Sequence, residues 1–503
     1  MSDKRIFLVI AFVAAVVPGE IARGGEAVVV VCPAQFRDAL QPWLDHRSSG
    51  GMACRVIDSN PDASALQASI RDAADADTRY VVLVGDAPVF GTPCNALRQT
   101  PILYSPTTVT AAWGSTPTLS SDMLYGDFDQ DQIPDASVGR LPVDDPIQLE
   151  QLIERIKARE RSNDFGAWRG NVQLVGGVGG FGALADNAIE SVTRTIVTGV
   201  LPAETRTTVC YASPGHVFFP TDRSFTDAVV NRYQQGARFW VYAGHGQITA
   251  LDRVSGTPVL DQRSVKRLNR PGGESSIAVM LACYTGALDA AEDSIAEEMV
   301  LSAGGPIAVF AGSRVTMPYG NTMAAVGLID GVFTQKLPRL GDAWLDALVQ
   351  MHQETTSDTS TTRMMIDALA TVVSPAGTNL ADERREHMLL YNLIGDPTLR
   401  LHHPQPMAIV IRPGHESGEL IQLQIKSPIS GELNLSFDRP LGAITEGDPN
   451  ATTIASMASQ VVAGRMIFPT ITLPASVKGP IIVRALVSGE QTWATAAART
   501  IVR

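Results

Sequence analysis

The sequence predicts an α/β domain built on a parallel sheet, followed by a smaller all-β sandwich. From Ala27 to about residue 402, short apolar runs alternate with amphipathic segments of helical period, as expected for a parallel sheet with crossover helices. Two of these runs end at a small residue that precedes a reactive side chain, His245 or Cys283. Beyond residue 402 the apolar segments are short and alternating, as in a sandwich of about a hundred residues.

Length and composition limit the number of domains and the kinds of binding partner. With 503 residues, the chain exceeds what one hydrophobic core usually supports. We expect residues 27–165 and 166–402 to form two subdomains of the α/β domain, and residues 403–503 to form the sandwich. The net charge of −12 disfavours nucleic acid or an acidic membrane surface as a partner.

The amino terminus predicts export. Lys4 and Arg5 precede an apolar run at 6–17, which Pro18 ends. This is the arrangement of a secretory signal peptide, assigned here to residues 1–26 without a fixed cleavage point. The apolar run is too short to span a bilayer comfortably. The alternative to a signal peptide is a first buried strand or a membrane anchor. We expect a mature chain without a transmembrane anchor, located in the periplasm, at the cell surface or in the medium.

The chain contains five cysteines. An odd number leaves at least one thiol without an intramolecular partner, which suits a free reactive cysteine in an oxidising compartment. The pairing of the other four stays open.

Residues 27–165 read as strands and helices in alternation, with a loop rich in Pro, Thr and Ser at 88–120. Strands are predicted at 27–32, 53–57, 80–84 and 138–141, and helices at 36–47, 64–76 and 146–161.

An acidic loop lies between the long loop and the strand at 138–141. Asp127, Asp129, Asp131 and Asp135 alternate along it, and such carboxylates can converge on calcium, with the Ile133 carbonyl as a further ligand. The loop lacks the glycine and the bidentate glutamate of an EF-hand. A solvated acidic turn is the alternative.

The second subdomain begins with a strand at 171–175 and the glycine-rich turn GGVGGFG. This turn does not preserve the glycine roles of a dinucleotide loop, and no partner acid is well placed. The further predicted elements are strands at 239–242, 277–282, 307–310 and 398–401, and helices at 295–302, 330–351 and 382–393.

His245 and Cys283 form a candidate catalytic pair. The carboxyl ends of parallel strands share one edge of a sheet, so both side chains can reach one substrate. An imidazole can stabilise a thiolate and later protonate a leaving amine. The amides of Gly246 and Cys283 could hold an oxyanion. The alternative is a buried apolar cysteine and a surface or satisfied core histidine, although two strand ends with adjacent glycines are hard to explain by packing alone.

Five segments carry a resemblance to a known family. They are YAGHG around His245, LACYTG around Cys283, SIAEEMVLSAGGPIAVFAGS from Ser294, SDMLYGDFDQDQIPDASVGRLP from Ser121 and YNLIGDPTLRL from Tyr391. In this order and spacing they resemble the gingipain family of cysteine peptidases, whose clan shares the caspase-like fold. The resemblance implies a caspase-like catalytic domain of two subdomains, an immunoglobulin-like module after it, and no cofactor in catalysis.

The resemblance also implies site residues, with one departure. Where arginine-specific members carry a glutamate that supports the histidine, this chain has Val178. The histidine could therefore be oriented by a backbone carbonyl, by another residue, or by nothing. Asp186 lies near the family's pocket aspartate, which implies a basic residue before the scissile bond, whereas the alternative makes Asp186 the N-cap of the following helix. Arg314 could contact the substrate or neutralise nearby acids. The family contains calcium sites, which favours a structural calcium in the acidic loop.

These observations predict an exported cysteine endopeptidase that acts on proteins or peptides through a thioester acyl-enzyme. Two alternatives remain: a catalytically silent scaffold that binds a surface partner, and a transpeptidase. The sequence leaves the oligomeric state open.

Overall fold

The computed structural model describes residues 26–180, 182–270, 272–354, 360–374, 378–443 and 447–503. Within them, one hydrophobic core extends from Val28 to Leu401 and a second from Met407 to Val502. The predicted α/β domain followed by an all-β domain is confirmed. The predicted signal peptide, apart from Glu26, lies outside the described residues.

A ten-stranded sheet forms the centre of the first domain. Its strands in chain order are β1 (Ala27–Val31), β2 (Ala53–Ile57), β3 (Thr78–Val84), β4 (Ser137–Leu141), β5 (Asn171–Gly176), β6 (Arg206–Tyr211), β7 (Phe239–Ala243), β8 (Ile277–Leu281), β9 (Ala308–Gly312) and β10 (Tyr391–Ile394). Their order across the sheet is β2-β1-β3-β4-β10-β9-β8-β7-β5-β6. All neighbours are parallel except β9 and β10.

Helices connect these strands. They are α1 (Arg37–Ser49), α2 (Ala63–Ala73), α3 (Pro146–Arg161), α4 (Ala183–Thr195), α5 (Phe225–Gln234), α6 (Gln262–Val265), α7 (Ile295–Leu301), α8 (Pro318–Ile329), α9 (Leu340–His352), α10 (Thr361–Val373) and α11 (Leu380–Leu390). None of the described helices is both long enough and apolar enough to cross a bilayer.

Local sequence explains where several elements begin. The run AVVVV of β1 is buried at every position, as expected for a strand covered on both faces of a parallel sheet. The carboxylate of Asp145 accepts a hydrogen bond from the amide of Gln148, and Pro146 occupies the first turn of α3. Ser294 and Glu297 form a capping box at the start of α7.

Some predicted elements are wrong. Residues 330–351 are not one helix, because a π-helical turn at Asp330–Thr334 and a segment containing Pro338 precede α9. The helix predicted at 382–393 ends at Leu390, where β10 begins. Residues 398–401 contribute only an isolated bridge between Arg339 and Arg400. The predicted loop at 88–120 contains an antiparallel strand pair, Leu103–Pro106 with Thr118–Ser121.

The second domain is a β-sandwich. Its larger sheet orders Gln405–Pro406, Trp493–Val502, Gly479–Ser488, Gly431–Asp438 and Thr453–Val461, and Gly414–His415 pairs with Trp493–Val502. Two smaller sheets are formed by Ala408–Val410, Gln424–Lys426 and Met466–Ile467, and by Leu420–Gln422 with Thr470–Thr472. Alternating residues of these strands supply the second core.

Polar contacts join the two domains along strand β6. The Asn450 side chain accepts from the amide of Val209 at 2.7 Å and donates to its carbonyl at 3.0 Å. Asp438 of the sandwich forms an ion pair with Arg206 of the first domain at 3.2 Å and, within the sandwich, with Arg484 at 2.8 Å. The outer strand of the sheet is thus covered by the second domain, which protects its edge.

Candidate active site

His245 and Cys283 follow adjacent parallel strands. Strands β7 and β8 pair in register, with Tyr242 opposite Met280 and Ala243 opposite Leu281. The chain leaves both strands at the same edge of the sheet, so the loops that carry the imidazole and the thiol start side by side. The structure therefore brings the two predicted site residues to one end of the sheet.

Gly246 allows the two loops to approach closely. A Cβ atom at this position would lie 2.6 Å from the Cys283 carbonyl oxygen and 2.9 Å from the Ala282 Cβ atom. No side chain fits there. Neither the amide of Gly246 nor that of Cys283 donates a hydrogen bond to another residue in the described part of the chain, so both N–H groups are available to an acceptor from a substrate.

The half-buried thiol of Cys283 lies against Thr316. The Thr316 amide donates to Sγ at 3.3 Å, and its carbonyl oxygen lies 3.6 Å from Sγ. Asn321 donates to the Thr316 hydroxyl at 3.1 Å, and the Tyr391 hydroxyl donates to Asn321 at 2.6 Å. The Thr316 backbone thus holds the sulfur in place, and Asn321 and Tyr391 support Thr316 from behind.

Tyr284, the residue after the cysteine, has a φ of 57°. This left-handed conformation is costly for a residue with a bulky side chain, and such strain is concentrated at functional sites. The turn is held by the Tyr284 amide, which donates to the Arg314 carbonyl at 3.0 Å.

The glycine-rich turn after β5 contacts the histidine. The Nε2 atom of His245 lies 2.8 Å from the Gly179 carbonyl oxygen. A carboxylate oxygen of Asp252 accepts from the Val178 amide at 2.9 Å, and the Asp252 amide donates to the His245 carbonyl at 3.2 Å. A backbone carbonyl thus contacts the imidazole, in a turn that Asp252 joins to the histidine loop.

A cavity of about 470 Å³ opens beside Cys283. Its lining combines apolar side chains from α4 and β6 with the carboxylates of Asp186 and Glu190. Leu441 and Gly442 of the second domain form part of the same wall. A concave, mostly apolar site with a few polar groups is typical of a pocket for a substrate side chain.

Asp186 lies in the first turn of α4, whose N-cap is Gly182 with a φ of 97°. The alternative in which Asp186 is the N-cap is therefore wrong. Its two carboxylate oxygens each lie 3.2 Å from the Gly180 amide. Glu190, one turn further along α4, pairs with Arg194 at 2.8 Å, so its charge is partly compensated.

Arg314 is buried and directed away from solvent. It pairs with Asp289 at 2.6 Å and donates to the Thr118 carbonyl at 2.9 Å. Of the two predicted roles, the structure supports neutralisation of a nearby acid.

The acidic loop brings three carboxylates together. Oxygens of Asp127, Asp129 and Asp135 lie within 4.8 Å of one another, whereas Asp131 accepts from the Ile133 amide at 2.7 Å and is not part of this group. Burial, followed by the charges of Asp131 and Asp129, raises the pKa of Asp127. This arrangement fits a hard divalent cation, which would offset the repulsion.

The sequence profile of peptidase family C25 matches residues 22–402. The chain belongs to peptidase family C25. A search of curated proteins finds no match to the sequence. Among solved structures, the chain is similar to the Arg-specific cysteine proteinase gingipain R (RgpB), with 15% identity, coverage of 95% of this chain and 98% of that chain, and a TM-score of 0.55.

Two further structures show the same likeness. The complex of the pro- and mature domains of RgpB from Porphyromonas gingivalis is 16% identical, with coverage of 95% of this chain and 100% of that chain and a TM-score of 0.55. A structure described only as a protease is 13% identical, with coverage of 95% and 97% and a TM-score of 0.56. The resemblance to gingipain-like peptidases with a caspase-like fold is thus confirmed. This C25 member is a cysteine peptidase, and its substrates are proteins or peptides.

Sequence reasoning missed several groups that surround this C25 site. Thr316 and Asn321 contact the thiol or support it, and Asp252 holds the turn at Val178. Only Asp252 had a local signal, because it follows the histidine closely and ends the apolar stretch after it. The roles of the other two depend on which backbone atoms the fold brings to the sulfur.

Proposed function

We propose that this C25 peptidase is an exported endopeptidase that uses Cys283 as its nucleophile and His245 as its general acid and base. The observation that carries the proposal is the placement of both residues just beyond the in-register ends of β7 and β8. The available amides of Gly246 and Cys283 support an oxyanion hole beside the thiol.

The reaction follows from these positions. His245 takes the thiol proton, and the Cys283 sulfur attacks the peptide carbonyl carbon, whose oxygen becomes negative near the two amides. The C–N bond breaks as the imidazolium gives its proton to the leaving amine. Water, deprotonated by His245, then attacks the thioester and releases the carboxylic acid and the thiolate.

We further propose that the cavity beside Cys283 accepts the side chain before the scissile bond. Asp186 places a carboxylate in its lining, which favours an arginine or lysine side chain by a charge-assisted hydrogen bond. The cavity walls are mostly apolar, and they suit the methylene stem of such a residue.

Two supporting proposals concern the rest of the chain. Asp127, Asp129 and Asp135 hold a structural calcium that takes no part in the reaction. Residues 1–26 direct export, because they combine a basic start with a short apolar run.

Active-site labelling tests the proposed chemistry. Purified protein is treated with peptidyl acyloxymethyl ketones that end in Arg, Lys, Asp or Leu, in reducing buffer with calcium, and adducts are located by peptide mass analysis. We expect modification of Cys283 alone, strongest with Arg or Lys. Cys283→Ala removes the labelled thiol, whereas Cys54→Ala changes another half-buried cysteine and serves as the matched control.

Each result separates the hypotheses. Failure of all four probes over pH 5 to 9 contradicts the proposed dyad and favours a silent scaffold. Labelling of Cys283 with a preference for Leu retains the dyad and rejects the role of Asp186. Product analysis with an added amine nucleophile separates hydrolysis from transpeptidation.

A further inference from the structure

A second cavity, of about 370 Å³, lies between the two domains. Arg169 and Arg238 line it from the first domain, and Met407 and Trp493 line it from the second. Arg169 precedes β5 and Arg238 precedes β7, so these residues lie at the amino ends of two adjacent strands. Cys283 lies beyond the carboxyl ends, about 17 Å away along a five-residue strand. The cavity is therefore distinct from the candidate active site.

Both arginines are buried without a carboxylate partner. Arg169 is 2% exposed and Arg238 is 4% exposed. Among the described residues, neither guanidinium forms an ion pair with a carboxylate, and their side-chain hydrogen bonds go to backbone carbonyls and to His403. Glu204 also lines the cavity but forms no ion pair with them. Buried charges in folded proteins are normally paired, because removing them from water is costly.

The direct contacts of these guanidinium groups are with aromatic rings, backbone carbonyls and a histidine, and only the more distant carboxylate of Asp164 favours the charge of Arg169. Arg238 lies over the rings of Phe239 and Phe333, at 5.7 and 5.6 Å from their centroids, and donates to the His403 Nδ1 atom at 3.3 Å. Arg169 donates to the Asp164 backbone carbonyl at 2.6 Å. Cation–π contacts are weaker than an ion pair and do not offset the cost of burying an isolated charge.

The local electrostatics are correspondingly unfavourable for the cations. Burial, and then the charge of Arg169, lowers the pKa of Arg238 to about 9. Burial also lowers the pKa of Arg169 to about 10, although Asp164 opposes this shift. Burial, followed by Arg238, lowers the pKa of His403 to about 4. An anion bound in the cavity would raise the pKa values of Arg169 and Arg238 again, because it would stabilise their charged forms.

The cavity lining also contains an unsatisfied hydrogen-bond donor. Trp493 is 2% exposed, and its indole N–H has no hydrogen-bond partner in the described part of the chain. An unsatisfied buried donor is costly and uncommon in folded proteins. The same cavity thus combines two unpaired guanidinium groups, a tryptophan with an unsatisfied N–H, and the apolar side chains of Phe333 and Met407.

We propose that this interdomain cavity binds a small carboxylate with an apolar body. The carboxylate pairs with Arg238 and Arg169 and accepts a hydrogen bond from the Trp493 indole N–H, and the apolar part packs against Phe333 and Met407. The carboxylate can belong to a free organic acid or to the carboxyl terminus of a peptide, since both present the same group. Because both domains line the cavity, an occupant links the amino ends of β5 and β7 to the sandwich.

Calorimetric titration of the full chain in the Cys283→Ala background tests the proposal without reference to catalysis. The probes are 3-phenylpropionate for a free acid and N-acetyl-Ala-Leu for a peptide terminus, each compared with its neutral amide. We expect saturable binding of at least one acid, and affinity at least about tenfold lower for the matching amide, because the amide lacks the charge.

Variants then locate the binding site. Arg238→Met is expected to weaken binding at least about tenfold, and Trp493→Phe provides a second, milder change if Arg238→Met folds poorly. Arg223→Met, at an exposed arginine paired with Asp222, is the matched control and should bind as the parent does. Equal heats for acids and amides, or unchanged binding by both cavity variants, would overturn the proposal. Binding of one acid but not the other identifies the source of the carboxylate.

Discussion

Asp252 links the histidine loop to the glycine-rich turn that contacts the imidazole. Its carboxylate accepts from the Val178 amide, and the Gly179 carbonyl lies 2.8 Å from His245 Nε2. Val178 is the residue that the sequence resemblance predicts at the position of the family's supporting glutamate. The His245 imidazole thus contacts a backbone carbonyl, and the Asp252 carboxylate holds the turn that contains this carbonyl. Asp252 is a positioning residue in the proposed mechanism.

Asp252→Asn is expected to lower kcat roughly tenfold while KM changes little. The amide keeps the size of the side chain but weakens a charge-assisted hydrogen bond, so the turn and its carbonyl shift relative to the imidazole. Steady-state kinetics on a peptide substrate measure the split between kcat and KM. Asp222→Asn, at an exposed carboxylate paired with Arg223, is the control. An increase in KM with constant kcat would contradict a positioning role.

Local sequence pattern was sufficient to propose the candidate pair but not to identify the residues that contact it. His245 and Cys283 each follow an apolar run and adjoin glycine, and these features are visible in a few neighbouring residues. The contact between Thr316 and the Cys283 sulfur joins residues far apart in the chain. Such contacts depend on sheet order, which single-sequence patterns do not define.

Two buried acidic side chains lie next to each other: Glu297 in helix α7 and Asp86 in the loop after β3. Burial raises the pKa of Asp86 to about 6, against a hydrogen bond to Glu297 and the charge of Arg140. Burial and the charge of Asp86 raise the pKa of Glu297 well above its usual value. In the unfolded chain both carboxyls titrate near pH 4. The native protein therefore binds more protons than the unfolded chain between about pH 4 and 6.

The contribution of Asp86 and Glu297 to the free energy of unfolding should fall as pH rises. This contribution is fully present below about pH 4 and is lost as pH rises through about 6, which lowers the free energy of unfolding by about 3 kcal/mol. Glu297→Gln removes one charge and can still accept the capping hydrogen bond from the Ser294 amide. Urea unfolding should therefore show the variant more stable than the parent at pH 8 and equal to it at pH 4.

Glu292→Gln, an exposed position shortly before α7, is the control for this titration. The measurements require a chelator, since Asp86, Asp293 and Glu297 lie within reach of one cation. A constant difference between Glu297→Gln and the parent across this pH range would show that the pair does not share a proton.

Calcium binding by the acidic loop before β4 should stabilise the protein. If calcium binds Asp127, Asp129 and Asp135, saturating calcium should raise the Tm by about 3 °C over the chelated protein. Asp127→Asn should abolish this increase, because the carboxylate is the most buried of the three. Asp131→Asn should preserve most of it, because Asp131 lies outside the group. An equal loss in both variants would favour a nonspecific effect of charge.

Element types were easier to predict than element ends. Strands β1, β7 and β8 were expected close to their observed positions because uniform apolar runs are distinctive. The boundary between α11 and β10 was missed, since residues on both sides of Leu390 are buried and apolar. Tertiary packing, which adds β10 antiparallel to β9, determines where the helix stops.

The sandwich contributes a loop to the wall of the cavity beside Cys283, so the position of the second domain affects the shape of this cavity. Asp438 ends the strand Gly431–Asp438, and Leu441 and Gly442 follow it into the cavity wall. Although burial opposes it, the charge of Arg206 and hydrogen bonds including that from Thr453 lower the pKa of Asp438. The ion pair between Asp438 and Arg206 joins the two domains close to the outer wall of the proposed substrate pocket.

Asp438→Asn tests this coupling in the whole molecule. Removing the buried charge leaves Arg206 and Arg484 without their shared partner, which should lower the free energy of unfolding by about 3 kcal/mol. Because the cavity wall loosens, KM for a peptide substrate should rise several-fold while the labelling of Cys283 persists. Glu432→Gln, at an exposed position on the same strand, should change neither quantity. A loss of stability with unchanged KM would mean that the sandwich supports the fold but does not shape the pocket.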